Sequence, residues 1–260
     1  MSTRDVPSRR SFTLVELLVV VAIIALLISI LLPALGQARK QGRATACLSN
    51  MRGMGMAVLM YCNENRDCLV NVGLSHGGAH FEPEEAWIKT LSAYYSNKLL
   101  ARCPSDRSPH WTLPIDGSPE VHMPVEDPND PLYPKLRHVS YGMNGYTHFA
   151  VGPPNDQRGP YNRLGMFRRP ATTIYIVEMA EEGEYATADH VHPDNWVTNP
   201  EEFAAEQVEL ERHRGKANYN FIDGHAMSHT FEETYEIDLE ASEFPNIVWA
   251  HNMYDPEVAW

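Results

Sequence analysis

Residues 17–38 form a run of 22 side chains with no Asp, Glu, Lys, Arg or His, mostly Leu, Val, Ile and Ala. As a helix rising about 1.5 Å per residue, such a run crosses the roughly 30 Å hydrocarbon core of a bilayer. The chain as a whole has a mean hydropathy of -0.36, that of a soluble protein, so the run stands apart from the rest of the sequence. An enzyme that is water-soluble from end to end is therefore not expected. Three arginines (Arg4, Arg9, Arg10) against one Asp5 precede the run. By the positive-inside bias they hold the amino terminus in the cytoplasm and place everything after about Lys40 outside. After residue 11 the chain carries 18 basic against 33 acidic side chains. That acidic remainder argues against nucleic acid as a partner, because gripping phosphates needs a basic surface.

Ala34-Leu35-Gly36 has the small-x-small spacing of a leader-peptidase site, so a cleaved secretory signal is one reading of the run. Glu16 argues against it. A carboxylate at the mouth of an apolar helix costs about 2–3 kcal/mol or more in lipid without a partner, and a secretory signal has no use for one. The segment Ser11-Phe12-Thr13-Leu14-Val15-Glu16-Leu17-Leu18, with Pro33 further along the run, resembles the type IV prepilin leader of bacterial pilins and type II secretion pseudopilins.

That resemblance implies cleavage on the cytoplasmic side between Ser11 and Phe12, followed by N-methylation of Phe12. Glu16 is then the fifth mature residue and Pro33 the twenty-second, the family's positions for the assembly glutamate and the helix-kinking proline. Ser11 departs from the glycine that most members carry, while keeping a small side chain. In the family's logic, Glu16 of one subunit pairs with the Phe12 ammonium of its neighbour, so that both buried charges are neutralised. The partners implied are a prepilin peptidase, an inner-membrane assembly platform with its ATPase, and other pilin or pseudopilin subunits. The location implied is a single inner-membrane span with the head in the periplasm or displayed on a filament.

Past Pro33 the helical pattern continues. Cys47, Met51, Met54, Val58 and Tyr61 recur at spacings of 4, 3, 4 and 3, which sets them on one face for docking against a head. The spacing predicts one helix over 14–63, about 75 Å long. Gly36, Gly42, Gly53 and Gly55 lie within it and serve either close packing or local flexibility. The organisation expected is a leader at 1–11, a membrane and polymerisation segment at 12–38, an extracytoplasmic helix at 39–67 and a head at 68–260. The head is rich in proline and loops, with the 118–134 stretch expected to be mobile. Short helices are predicted at 84–95 and 201–211, and strands at 140–143, 172–178 and 217–222. Asp223-Gly224 supplies a tight turn into a further strand at 225–231. The fold class is α+β, a long amino-terminal helix carrying a small antiparallel sheet.

Three more segments extend the resemblance: Leu100-Ala101-Arg102-Cys103-Pro104-Ser105-Asp106, then Ser140-Tyr141-Gly142-Met143-Asn144, then His213 followed after nine residues by Asp223-Gly224. Together they look like the large-headed pseudopilin-like proteins of planctomycete-type bacteria that end in a His-x9-Asp-Gly segment. The chain is also similar to the major pseudopilin of type II secretion, without a match to its calcium loop.

The four cysteines (Cys47, Cys62, Cys68, Cys103) are an even set in an oxidising compartment. On one helix Cys47 and Cys62 would be about 22 Å apart, beyond disulfide reach. Cys47–Cys103 with Cys62–Cys68, favoured, and Cys47–Cys68 with Cys62–Cys103 remain. All 12 histidines follow residue 75. The close sets His76/His80, His190/His192 and His225/His229 have ligand-like spacings that chance also produces in so histidine-rich a segment. Asp223 reads as a turn former; the alternative is that the hairpin sets its carboxylate near His213 and His225. Asp106, Asp223 and the 127–130 loop offer oxygens, without a calcium-loop spacing. No metal or cofactor is assigned. No nucleophile elbow, phosphate loop, dinucleotide fingerprint or zinc-protease helix is present, and no enzymatic activity is expected. The alternative from another class is a signal-anchored periplasmic binding protein or hydrolase.

Overall fold

The computed structural model describes residues 14–72, 87–95, 101–111, 137, 139–148, 159–238, 240, 242 and 249–259. The chain divides into two compact units, Met1–Gly42 and Arg43–Trp260. The second unit takes in residues 43–64 of the long helix, which supply much of its core.

Helix α1 runs Leu14–Glu64 with Pro33 in its interior. In the first unit its apolar side chains have no core to enter, and from Leu14 to Leu35 the large ones expose between 45% (Val20) and 78% (Leu14) of their surface. In the second unit one face turns inward, burying Cys47, Met51, Met54, Gly55, Ala57, Val58 and Cys62. Tyr61, expected on that face, is half-buried and meets Tyr94 edge-on at 5.9 Å. The helix ends through Arg66 and Asp67, both in the left-handed region (φ 57° and 62°). The Asp67 N–H there donates to the Cys62 carbonyl at 2.9 Å.

The head is built on β1 (Tyr141–Asn144), β2 (Ile174–Glu178), β3 (His190–Val191), β4 (Ala217–Phe221) and β5 (Ala226–His229). They form a five-stranded sheet in the order β3-β1-β2-β4-β5. Its pairings are antiparallel except for β1 with β3, which is parallel. A second ribbon pairs β6 (Tyr235–Ile237) with β7 (Trp249–Asn252). Every residue of β1, β2 and β4 is buried, as expected of strands covered on both sides.

On one side Asn220 of β4 reaches α1. A Cβ placed on Gly55 would lie 2.2 Å from Asn220 Nδ2 and 2.8 Å from the Gly224 carbonyl oxygen. On the other side Trp196 stands edge-on to Tyr235 (5.3 Å) and Tyr254 (5.0 Å), and Tyr219 of β4 meets Tyr254 at 6.5 Å. Asn220 Nδ2 also donates to the carbonyls of Gly224 (3.2 Å) and His225 (2.9 Å). This side chain ties the hairpin turn to its strand where the turn docks on the helix.

Gly55 thus serves close packing, whereas Gly42 has nothing within 4 Å of a would-be Cβ. Alanine gains about 0.8–1 kcal/mol over glycine inside a helix, but overpacking a filled contact costs typically 1–3 kcal/mol. Because the Gly55 clash involves a backbone oxygen, the second effect wins. Gly55→Ala is expected to lower the head's urea midpoint and Gly42→Ala to leave it unchanged or slightly raised. Equal behaviour of the two variants would contradict the packing role of Gly55.

Both expected helices end earlier than the sequence suggests, and residues 84–86 lie outside the described residues. Helix α2 is Trp87–Leu91, closed by the Ser92 and Tyr94 N–H groups bonding to the carbonyls of Lys89 and Leu91. Helix α3 is Pro200–Ala205. It stops because residues 207–209 run beside the end of β2, with Ala180 N–H donating to the Gln207 carbonyl at 3.0 Å and Glu209 N–H to the Glu178 carbonyl at 2.9 Å. The stretch 118–134 lies outside the described residues.

Candidate functional site

Two regions concentrate unusual chemistry, the start of α1 and a buried polar knot in the head. Glu16 is the acidic residue of the first turn of α1, where a carboxylate is favoured by the exposed N–H groups of a helix start. Pro33 has no N–H to give to the carbonyl four residues earlier, yet α1 continues through it. Ser11 and Phe12 lie outside the described residues. Residues 14–64 form the one helix among the described residues that is long and apolar enough to cross a membrane, with a peak window hydropathy of 3.2. The window carries no buried residue, so the helix has the surface of a segment completed by lipid or by neighbouring helices.

In the head, Cys47 of α1 is joined to Cys103 by a disulfide with Sγ–Sγ 2.06 Å. The carboxylate of Glu178, last residue of β2, lies beside it. His213 Nε2 is 2.8 Å from Glu178 Oε1 and 3.8 Å from Cys103 Sγ. Glu178 Oε2 accepts the Asn218 N–H at 2.9 Å, and Arg212 Nη1 stands 4.0 Å from Oε1. Asp106 forms the other half of the knot. Its Oδ2 accepts from Arg137 Nε (2.8 Å) and Ser140 Oγ (2.5 Å), and its Oδ1 from the Ser108 N–H (2.9 Å). Arg137 donates further to the carbonyls of Met179, Ala180 and Ala186. Ser140 Oγ also accepts the Cys103 N–H at 2.9 Å. Burial alone would raise the Asp106 pKa, but Arg137, then Arg212, then the hydrogen bonds from Ser140 and Ser108 outweigh it and hold the group below the usual aspartate value.

The three head segments singled out in the sequence therefore converge. Cys103 and Asp106 meet Ser140 at one end of the sheet, and His213 joins them there. Gly224, at the far end of the His-x9-Asp-Gly segment, has a left-handed φ of 87° and sits where a Cβ would come within 2.7 Å of Leu59. That segment contacts α1 at both ends, near Cys47 and at Gly55 and Leu59. Asp223 caps its own turn, its Oδ1 accepting the His225 N–H (3.1 Å) and lying 2.5 Å from His225 Nδ1. His213 does not join Asp223 and His225. It faces Glu178 across the sheet.

Cys62 and Cys68 are not bonded to each other. Cys62 is on the buried face of α1, whereas the left-handed turn at Arg66 and Asp67 carries Cys68 away to bridge Arg163 at the surface. Burial pushes the Cys62 thiol up to about 12, so it stays protonated and unreactive near neutral pH. Of the histidine pairs, His225 turns to Asp223 while His229 lies 3.2 Å from Glu233. The rings of His190 and His192 meet edge-on at 5.0 Å, and His190 Nδ1 is 3.0 Å from Asp189. His76, His80 and the 127–130 loop are outside the described residues. Trp87 and Trp196 are fully buried, and Trp111 lies under the Arg102 guanidinium at 4.2 Å. Glu178 was not singled out in the sequence, although an acid closing the apolar strand Ile174-Tyr175-Ile176-Val177 marks a buried charge that needs a partner.

Comparison with known proteins bears on the first region. Residues 7–32 match the family model described as the prokaryotic N-terminal methylation motif. The motif spans the expected processing site, Glu16 and the first part of α1. It supports a type IV pilin-like or pseudopilin role at the level of the family, and with it prepilin-type processing and a membrane anchor. No curated protein and no solved structure matches the chain.

Proposed function

We propose that this protein is a structural subunit of a type IV pilus-like or type II secretion pseudopilus filament. A prepilin peptidase cleaves it between Ser11 and Phe12 and methylates Phe12, and the chain then polymerises through α1. The observation that carries the reading is the methylation motif at 7–32 leading into a helix whose apolar side chains stay exposed from Leu14 to Leu35. A helix hydrophobic all round is stable only when surrounded by lipid or by other helices. A subunit that leaves the membrane for a filament core uses both environments in turn.

In this reading the protein acts by assembly, not by turnover. The platform and ATPase of the inner membrane drive its extraction, and the acidic head faces the periplasm or the outside of the filament. The His-x9-Asp-Gly segment is a packing device of a large head, consistent with the planctomycete-type pseudopilin-like group. The test is to follow the chain in cells with and without a prepilin peptidase. With the enzyme it is expected to shorten by the 11-residue leader and appear in the sheared extracellular fraction; without it, to stay full-length in the membrane. Shedding of the chain that does not depend on the peptidase would overturn the proposal.

A further inference from the structure

The ligand atoms of Cys47, Cys103, Glu178 and His213 all lie within 4.8 Å of one another, and all four residues are buried. They come from four separate segments: α1, the loop at 101–111, β2 and the turn before β4. We propose that, once the Cys47–Cys103 bond is reduced, these four side chains form a closed tetrahedral site for zinc, so that disulfide and metal are two alternative fastenings of the same point in the head.

The donor set supports zinc in particular. Two thiolates, an imidazole and a carboxylate suit a borderline-soft d10 ion and do not suit calcium or magnesium. With Zn–S near 2.3 Å and Zn–N near 2.0–2.1 Å, donor atoms of a tetrahedral site stand about 3.3–3.8 Å apart. His213 Nε2 is already 3.8 Å from Cys103 Sγ and 2.8 Å from Glu178 Oε1. Two changes are required: the two sulfurs separate, and the hydrogen bond between His213 Nε2 and Glu178 Oε1 opens to about 3.3 Å as the proton it shares passes to His213 Nδ1.

The surrounding groups fit the same role. Glu178 Oε2 is held by the Asn218 N–H, which leaves Oε1 for the ion. The Ser105 N–H points at Cys103 Sγ from 3.4 Å, as a donor that would steady a thiolate. Such outer contacts orient metal ligands. Zinc with two thiolates and one carboxylate carries one net negative charge, and the nearest positive group is the buried Arg212 guanidinium, 4.0 Å from Glu178 Oε1 and shared with Glu181 (3.2 Å) and Glu209 (3.8 Å).

The chemistry balances with a dithiol or phosphine reductant. A dithiol gives two electrons and two protons and becomes a cyclic disulfide; a phosphine takes the oxygen of one water to become the phosphine oxide, and that water's two protons go to the two thiols. Binding Zn2+ then releases the two thiol protons to solvent. Because four donors are supplied by the protein and none by water, the site is structural and not catalytic.

Cobalt(II) is the probe, used on the full chain in detergent with Cys62→Ala and Cys68→Ala removing the other thiols. After anaerobic phosphine reduction, one equivalent of cobalt is expected to give thiolate charge-transfer and tetrahedral d–d bands that zinc abolishes. The unreduced chain is expected to give none, and His213→Ala to weaken binding at least tenfold. Absence of a thiolate band at one equivalent, or the same band in a Cys103→Ser variant, overturns the proposal. Should reduction unfold the head, recovery of its near-ultraviolet circular dichroism on adding zinc supports the proposal, and failure to recover overturns it.

Discussion

Replacing Glu16 by alanine is expected to leave the chain inserted in the membrane and to remove it from the sheared filament fraction. Glu16 occupies the first turn of α1 at the entrance of the apolar run, and insertion itself does not require it. In an assembled filament the proposed partner is the methylated Phe12 ammonium of a neighbouring subunit. An unpaired charge in hydrocarbon costs on the order of 2.5–3.5 kcal/mol, so losing the partner weakens each contact roughly 50- to 300-fold. Repeated at every subunit, that loss stops polymerisation. Quantifying head antigen in membrane and sheared fractions checks it. Normal recovery of Glu16→Ala in filaments would favour a static anchor carrying a periplasmic domain.

Asp106→Ala is expected to destabilise the head by about 3–5 kcal/mol, the cost of leaving a buried partner charge uncompensated. Arg137 has a fully buried side chain with Asp106 as its ion-pair partner. Domains of this kind are stable by only about 5–15 kcal/mol, so a large share of the total would vanish. Exchanging both residues for apolar ones, Asp106→Leu with Arg137→Met, is expected to recover most of the loss, because no charge then remains stranded. A pH signature accompanies it. The folded pKa of Asp106 lies below its ordinary value of 3.8, so its contribution is fully present above that value and fades as pH falls through the lower folded one. The wild-type head is thus expected to lose stability below about pH 4, and the gap between wild type and Asp106→Asn to narrow there. Urea midpoints at pH 7 and pH 3 decide this, and a change below about 1 kcal/mol at pH 7 would contradict the buried-pair account.

Much of this architecture was legible because its determinants are local. The uncharged run and the four-three spacing of Cys47, Met51, Met54 and Val58 define α1 to within a residue of its end at Glu64. Asp223-Gly224 marks the hairpin, since only a residue at ease with positive φ fits beside Leu59. What was not legible depends on partners distant in sequence. Glu178 and His213 meet across 35 positions, Asp106 and Arg137 across 31, and neither pairing has a spacing rule. The two-residue β3 and the short ribbon β6–β7 have too few residues for a period to show. The segment after α3 reads as helix by composition, but the residues just past the end of β2 draw it into extended pairing, Met179 with Val208. Cys62 and Cys68 illustrate the same limit, because a left-handed turn between them decides that they face apart.

In the proposed role the chain enters a filament pathway through its amino terminus. The most direct measurement is the amino-terminal sequence and intact mass of the protein recovered from membranes of cells that hold a prepilin peptidase. A chain starting at N-methylated Phe12 is the predicted result. A start at Gln37 would make it a secreted protein released from a signal peptide, and an intact Met1 or Ser2 start would make it a static anchor; either would contradict the account.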